Sequence, residues 1–343
     1  MADHVVVRRF GISRRIAWRT MLVVMLLGVA CALLMLASLS LGKHIIAPGD
    51  VLNALAGQAS ARDGFIIDIL RMPRLLLACM VGAALGISGL ILQSIVRNPL
   101  ASPDIMGITG GASVAAVAFL SFLAPDMSQR WLPLAAVLGA SATALAIYTL
   151  AFKQGITPVR LVLTGIAISA LMAALVTLLM VISPLSSTLS AYVWLTGSVF
   201  GASWDDVLSM AVWFGSALIV LIPMARKVNT LELDDAFAVG LGMHIQRTRL
   251  ILLALSVALA ASAVAHAGAI GFVGLIAPHI ARALVANTFA GLAVVTALVG
   301  ALLVASADLV GRTLFLPLDL PAGMFVSGLG AVFFVYLLLR RLR

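Results

Sequence analysis

Apolar runs recur along this chain at 20–41, 75–96, 105–124, 131–152, 160–183, 206–225, 249–269, 271–287, 289–310 and 321–339, each followed by a short polar break. Crossing a hydrocarbon layer as a helix takes about 20 residues, and the runs approach or exceed that length. The pattern therefore predicts an all-α protein with ten spanning helices. The stretch "SSTLSAYVWLTGSVFGASW" (186–204) is too polar and too short to cross, and reads as a re-entrant or outer-surface helix. Pro278, His279 and Arg282 interrupt the eighth run. Non-ideal backbone at that depth requires protein around it, so this run should lie against other helices. Gly82, Gly86 and Gly89 on the second run, and Gly323, Gly328 and Gly330 on the tenth, mark faces where helices approach closely.

Composition agrees with a membrane solvent: 63% of the 343 residues are hydrophobic and 10% are charged, against roughly 25% charged in soluble domains. No room remains for a sizeable soluble domain, so residues 1–343 form a single transmembrane unit. With the N-terminus inside, ten crossings put 16 of the 22 basic residues on the inner side. That bias orients the chain with both termini cytoplasmic. The basic arm 1–19 carries Arg8, Arg9, Arg14, Arg15 and Arg19, and the run after it is too long for a signal-peptide core. The cations are dispersed between spans, which excludes a nucleic-acid face. Cys31 and Cys79 lie far apart in apolar runs and read as small core residues.

Several chemistries are missing. None of the three lysines sits in a phosphate-cradling loop, so any ATP is used by a partner and the chain itself is no enzyme. Among one Glu and twelve Asp, none falls in the middle of a spanning run; Asp308 comes nearest, close to an outer end. Ion-coupled carriers place a carboxylate near the bilayer midplane, so a secondary transporter is disfavoured. His266 and His279 stand in apolar context as structural residues, and neither a metal nor another cofactor is expected on this chain.

Three polar features remain. "IVRNPLASPDIMG" (95–107) is a cytoplasmic turn in which Pro99 and Pro103 stop the helix and Asn98 satisfies freed backbone groups. The insertion 226–248 contains "LELDDAFAVGLG", where Asp234 or Asp235 can cap a short helix and Gly242 can end it. Such a helix between two spans is a suitable lever for a cytoplasmic partner. Finally, Arg71 and Arg74 lie on the outer side, against both the charge bias and the helix dipole, so something else must favour them, as an acidic docking partner would.

Taken together, "RMPRLL" (71–76), "GAALGISGLILQSIVRNPLASPDIMGITGGA" (82–112), "AGAIGFVGLIAPHIARAL" (267–284), "SADLVGR" (306–312) and "LPAGMFVSGLGAVFFVYLLL" (320–339) resemble the permease subunits of the vitamin B12 and iron-siderophore ABC importers. "RNPLASPDIMG", "GITPVRL" and "RTLFLPLDLPAG" are most similar to the ferric-enterobactin-type (catecholate) members. The resemblance implies a type II importer permease in the inner membrane. Two permeases, a heterodimer favoured by the catecholate likeness with a homodimer as the alternative, work with two cytoplasmic ATPases and a substrate-binding protein to move a ferric siderophore by alternating access. Vitamin B12 or haem is the alternative cargo. By the same likeness Asp234, Asp235, Ala238, Leu241 and Gly242 belong to the helix that docks on the ATPase, although Asp234 stands where many members have Gly. Arg71, Arg74 and Arg312 match outer arginines that pair with the binding protein. Arg97, Asn98 and Pro99 lie beside the inner mouth, and Thr157, Pro158 and Val159 match a gate in which only Thr157 keeps a hydroxyl.

Overall fold

A computed structural model describes residues 4–9, 12–58, 60–124, 126–153, 155, 157–232, 235–285 and 288–341. Two strands, β1 (His4–Arg9) and β2 (Ile12–Ala17), pair antiparallel with His4 opposite Ala17. The hydrophobic pattern gave the basic arm no element; its β-branched residues at 5–7, 12 and 16 suit a ladder. Everything after it is helical.

The first crossing is α1 (Trp18–Ser40), followed outside by the short α2 (Pro48–Leu55) and α3 (Ala61–Phe65). A π-helical segment, Ile66–Arg71, leads into α4 (Met72–Val96), with Pro73 in its first turn where a missing N–H costs nothing. Then come α5 (Ile108–Ala118), α6 (Leu132–Ala151), α7 (Pro158–Ile182), the outer α8 (Leu185–Leu195) and α9 (Trp204–Leu231). The chain ends with α10 (Asp235–Gly240), α11 (Ile245–Ala267), α12 (Val273–Leu284), α13 (Phe289–Thr313) and α14 (Ala322–Arg341). Among the described residues seven helical runs are long and apolar enough to cross, and the runs Ile108–Leu123, Val273–Leu284 and Ala322–Leu337 are shorter. Together they match the ten expected runs in order.

Two expectations need correction. Helix α9 continues through Leu231, so residues 226–231 of the polar insertion are helical rather than loop. The eighth run is not a full crossing, because the 12 residues of α12 rise only about 18 Å against a core of about 30 Å. Pro278 does not break it and lies inside the helix. The break is earlier, at residues 268–271, where Gly268 adopts a φ of +69°.

At the centre stands α4. Twenty of its 25 residues are buried, and α13, α11, α12 and α9 pack around it. Lipid is as apolar as leucine, so this arrangement rests on close van der Waals packing, and small residues supply it. A methyl group at Gly82 would collide with the Gly300 carbonyl of α13, and one at Gly89 with the Gly274 carbonyl of α12. Gly111 of α5 and Gly139 of α6 meet in the same way. On the last helix Gly323 abuts the Thr196 carbonyl and Gly330 the Phe272 ring, whereas Gly328 faces open space. By contrast α7 buries only Leu161 and Gly165.

Candidate functional site

Two of the three outer arginines, Arg71 and Arg312, converge on the C-terminal end of α1. Arg71, 8% exposed, donates to the Leu39 and His44 carbonyls and to the Ser40 carbonyl at 3.0 Å. Arg312 donates to the Leu41 carbonyl at 2.8 Å, to the Ser38 hydroxyl at 2.8 Å and to the Ser38 carbonyl. A helix end leaves its last four carbonyls unpaired and partly negative, so cations are favourable there. Arg74 instead meets two carboxylates. Its Nε and Nη2 donate to Asp308 at 2.9 and 2.8 Å, and its Nη1 and Nη2 to Asp319 at 2.7 Å each. Asp308, 2% exposed, also lies 3.6 Å from Arg312. The sequence oddity therefore has an internal resolution: the acid favouring Arg74 belongs to this chain, and the other two cations cap α1.

These side chains wall an outer crevice of about 1220 Å³. Lys43 and Arg62 line it too and are exposed. Counting Lys43, Arg62, Arg71, Arg74 and Arg312 against Asp308 and Asp319, the crevice is basic by three charges.

On the inner side, α10 is a six-residue helix. Its closing turn is the kind only glycine favours: Gly242 has a φ of +77° and donates to the Val239 carbonyl at 2.8 Å, while Met243 donates to Ala238 at 3.0 Å. Ala238 is buried toward the neighbouring helices. Phe237 is 72% and Leu241 71% exposed, so an apolar tip projects from the inner face. Phe237 was missed in the sequence, although its place between Asp235 and Gly242 was the available signal. Asp235 begins the helix; Asp234 lies outside the described residues.

The turn after α4 does more than corner. Arg97 sits at its inner end with a φ of 54°, and the Asn98 side chain accepts from the Leu100 N–H at 3.0 Å, as expected. Beyond Pro99 the chain folds back into the span. Pro103 packs on Gly274, Met106 on Gly165 and Gly107 on Ser169 of α7. Asp104 accepts from the Phe272 N–H at 3.1 Å, at the start of α12. Gly274 itself touches Gly89, eight residues before Arg97 on α4, a depth of about 12 Å by helical rise. A carboxylate thus lies well inside the bundle, on a loop rather than a helix, which the search of spanning runs could not register. At the start of α7, Thr157 precedes Pro158 without a side-chain cap, and Thr157 and Val159 are exposed. Among the described residues no hydrogen bond joins them to the Arg97 turn, whereas the neighbouring Gly155 abuts Gln246 of α11.

Ten apolar helical runs around one buried helix, seven of them long enough to cross a membrane among the described residues, define the class: a polytopic membrane permease. The chain belongs to the FecCD transport family, whose profile matches residues 13–340. It is 54% identical over 340 residues to the achromobactin transport system permease protein CbrC of Dickeya dadantii (strain 3937), covering 99% of this chain and 97% of that one. It is 35% identical over 325 residues to the ferric enterobactin transport system permease protein FepG of Escherichia coli (strain K12), covering 95% and 98%. Among solved structures, an inward-facing ABC transporter of the metal-chelate type superposes with a TM-score of 0.83 at 31% identity, over 93% of this chain and 99% of that one.

Proposed function

We infer that this permease moves a ferric siderophore across the inner membrane as one half of an ABC importer, with N- and C-termini in the cytoplasm. The observation that carries the reading is the family match from residue 13 to 340, since it includes every element of both faces. ATP is hydrolysed by a partner ATPase. The apolar tip formed by Phe237 and Leu241 seats in that partner, with Asp235, Ala238 and Gly242 holding its shape; an exposed apolar tip at the water boundary gains most from being covered. A second permease covers α7, whose 25 residues bury only Leu161 and Gly165 within this chain. The likeness to catecholate members makes that second permease a different protein.

Outside, the basic crevice receives acidic groups of a substrate-binding protein. Complementary charge steers such an encounter and fixes its register. Arg71, Arg74 and Arg312 shape the walls, and Lys43 and Arg62 offer the freer cations. On the inner side Arg97, Asn98, Pro99, Thr157, Pro158 and Val159 border the exit.

Uptake in cells lacking their own inner-membrane importers tests the reading, with this permease, its partner permease, ATPase and binding protein supplied. Labelled ferric siderophores are expected to accumulate. Accumulation of cobalamin or haem alone would overturn the cargo and keep the permease class.

A further inference from the structure

Under the lever, charges converge in a way the docking role does not require. Arg97 closes α4 and donates to the Leu231 carbonyl through Nε at 3.0 Å and Nη2 at 2.7 Å, and to Asp235 Oδ1 at 2.6 Å. Arg249, on the first turns of α11, donates to the same Asp235 oxygen at 3.0 Å. Nearby, the Ser94 hydroxyl of α4 donates to Glu232, the chain's single glutamate, at 2.8 Å. One carboxylate oxygen of α10 therefore holds guanidinium groups from two different membrane helices.

The two cations differ in setting. Arg249 is 2% exposed, while Arg97 is partly open to solvent. A buried guanidinium deprived of its carboxylate is strongly disfavoured, because its charge loses both water and partner. Sliding α10 across α11 would therefore break the 3.0 Å bond between Arg249 and Asp235 where almost no water reaches Arg249. Within α10 Ala238 is the one buried residue, and the apolar tip faces outward. Charge-assisted bonds also fix direction, so a carboxylate held from two sides defines an orientation and not merely a contact.

We propose that Arg249, assisted by Arg97, is a positioning residue for transport: it fixes α10 to the inner ends of α11 and α4 so that displacement of the lever moves both helix ends together. This rests on the lever reading above. The role is transmission, in keeping with the burial of Arg249 inside this chain.

The test uses the complete importer in proteoliposomes, with Arg249→Gln, Arg249→Lys and Arg97→Gln permeases. Three quantities are read: basal ATP hydrolysis, its stimulation by ferric-siderophore-loaded binding protein, and uptake per ATP. Arg249→Gln is expected to keep basal hydrolysis and lose stimulation, with uptake per ATP lowered at least about fivefold, the low end of coupling between linked sites. Arg249→Lys, which keeps the charge, is expected to recover most of the stimulation. Arg97→Gln shifts both readouts the same way and by less. Parental stimulation and uptake per ATP in Arg249→Gln overturn the proposal; if that variant fails to assemble, parental values in Arg97→Gln do so. Phe237→Asp separates the two readings. Loss of ATPase binding in Phe237→Asp alongside normal coupling in Arg249→Gln keeps the lever and removes the clamp, whereas a Phe237→Asp permease that still holds its ATPase and transports overturns the lever and the clamp with it.

Discussion

Truncating Asp308 to alanine removes the carboxylate on which the outer face of α13 and α4 is closed. Arg74 loses bonds of 2.9 and 2.8 Å, and Arg312 loses a neighbour at 3.6 Å. Breaking a buried ion pair by deleting one partner costs about 3–5 kcal/mol. Asp319 still holds Arg74 through two bonds of 2.7 Å, which places the loss at the lower end, about 3 kcal/mol. Each kcal/mol moves the melting temperature by roughly 2–4 °C in chains of 150–250 residues and by less in a longer one, so a drop of about 5 °C is expected. Thermal melting of the purified permease in nanodiscs, followed by tryptophan fluorescence, reads this directly; Trp204 donates to the Asp68 carbonyl at 2.8 Å within the same crevice and serves as a local probe. The companion variant Asp308→Leu with Arg74→Met removes both charges of the pair and should melt closer to the parent than Asp308→Ala does, because Arg312 keeps its bonds to Leu41 and Ser38 and the Asp319 left behind is 31% exposed. A parental melting temperature for Asp308→Ala would refute the claim that this pair holds the face together.

Other consequences are as direct. Gly82→Val should abolish accumulation of folded permease in membranes, because its side chain would occupy the Gly300 carbonyl, while Gly328→Val, in open space, should accumulate normally; a folded Gly82→Val protein would contradict the packing account. Gly242→Val forces a β-branched residue to a φ of +77°, costing at least about 1–2 kcal/mol in the lever turn, and should depress uptake with the membrane helices intact by circular dichroism. Lys43→Glu with Arg62→Glu should weaken binding-protein docking and flatten its salt dependence without affecting ATPase binding. Unchanged docking at low salt would remove the crevice as the docking surface.

Much of this architecture could be read from residue order alone. Helix length is a local property, so ten apolar runs appear in register with the helical elements, and glycines at 82 and 89 mark contacts made by their own backbone. What was illegible depended on distance. The peculiarity of Arg71 and Arg74 was visible, but their partners lie far along the chain: Arg71 reaches carbonyls about thirty residues away and Arg74 reaches Asp308 and Asp319. Carbonyls carry no sequence signature, so capping by Arg71 could not be anticipated. Asp104 was hidden for a different reason. A Pro-rich polar stretch ordinarily means surface, and only the packing of Pro103 on Gly274 shows the loop turning inward. The interruption of the eighth run was expected at Pro278, His279 and Arg282, since a proline is a conspicuous breaker and a glycine pair at 268 and 271 is not, yet α12 runs through all three. Asp235 was legible as a helix start, whereas its grip on Arg97 and Arg249 requires three elements to meet.

The burial of α4 has a consequence for how the bilayer acts on this protein. With 20 of 25 residues enclosed by protein, the helix that carries Arg74 at one end and Arg97 at the other has almost no boundary with lipid. Acyl-chain length and lateral pressure act on helices whose faces are open, such as α1, which buries only Ser38, Leu39 and Ser40 inside the chain. Changes in membrane thickness therefore reach the central helix only after being filtered through its neighbours, and growth conditions that alter lipid composition should retune the periphery of the permease while leaving the spacing between its two charged ends nearly constant.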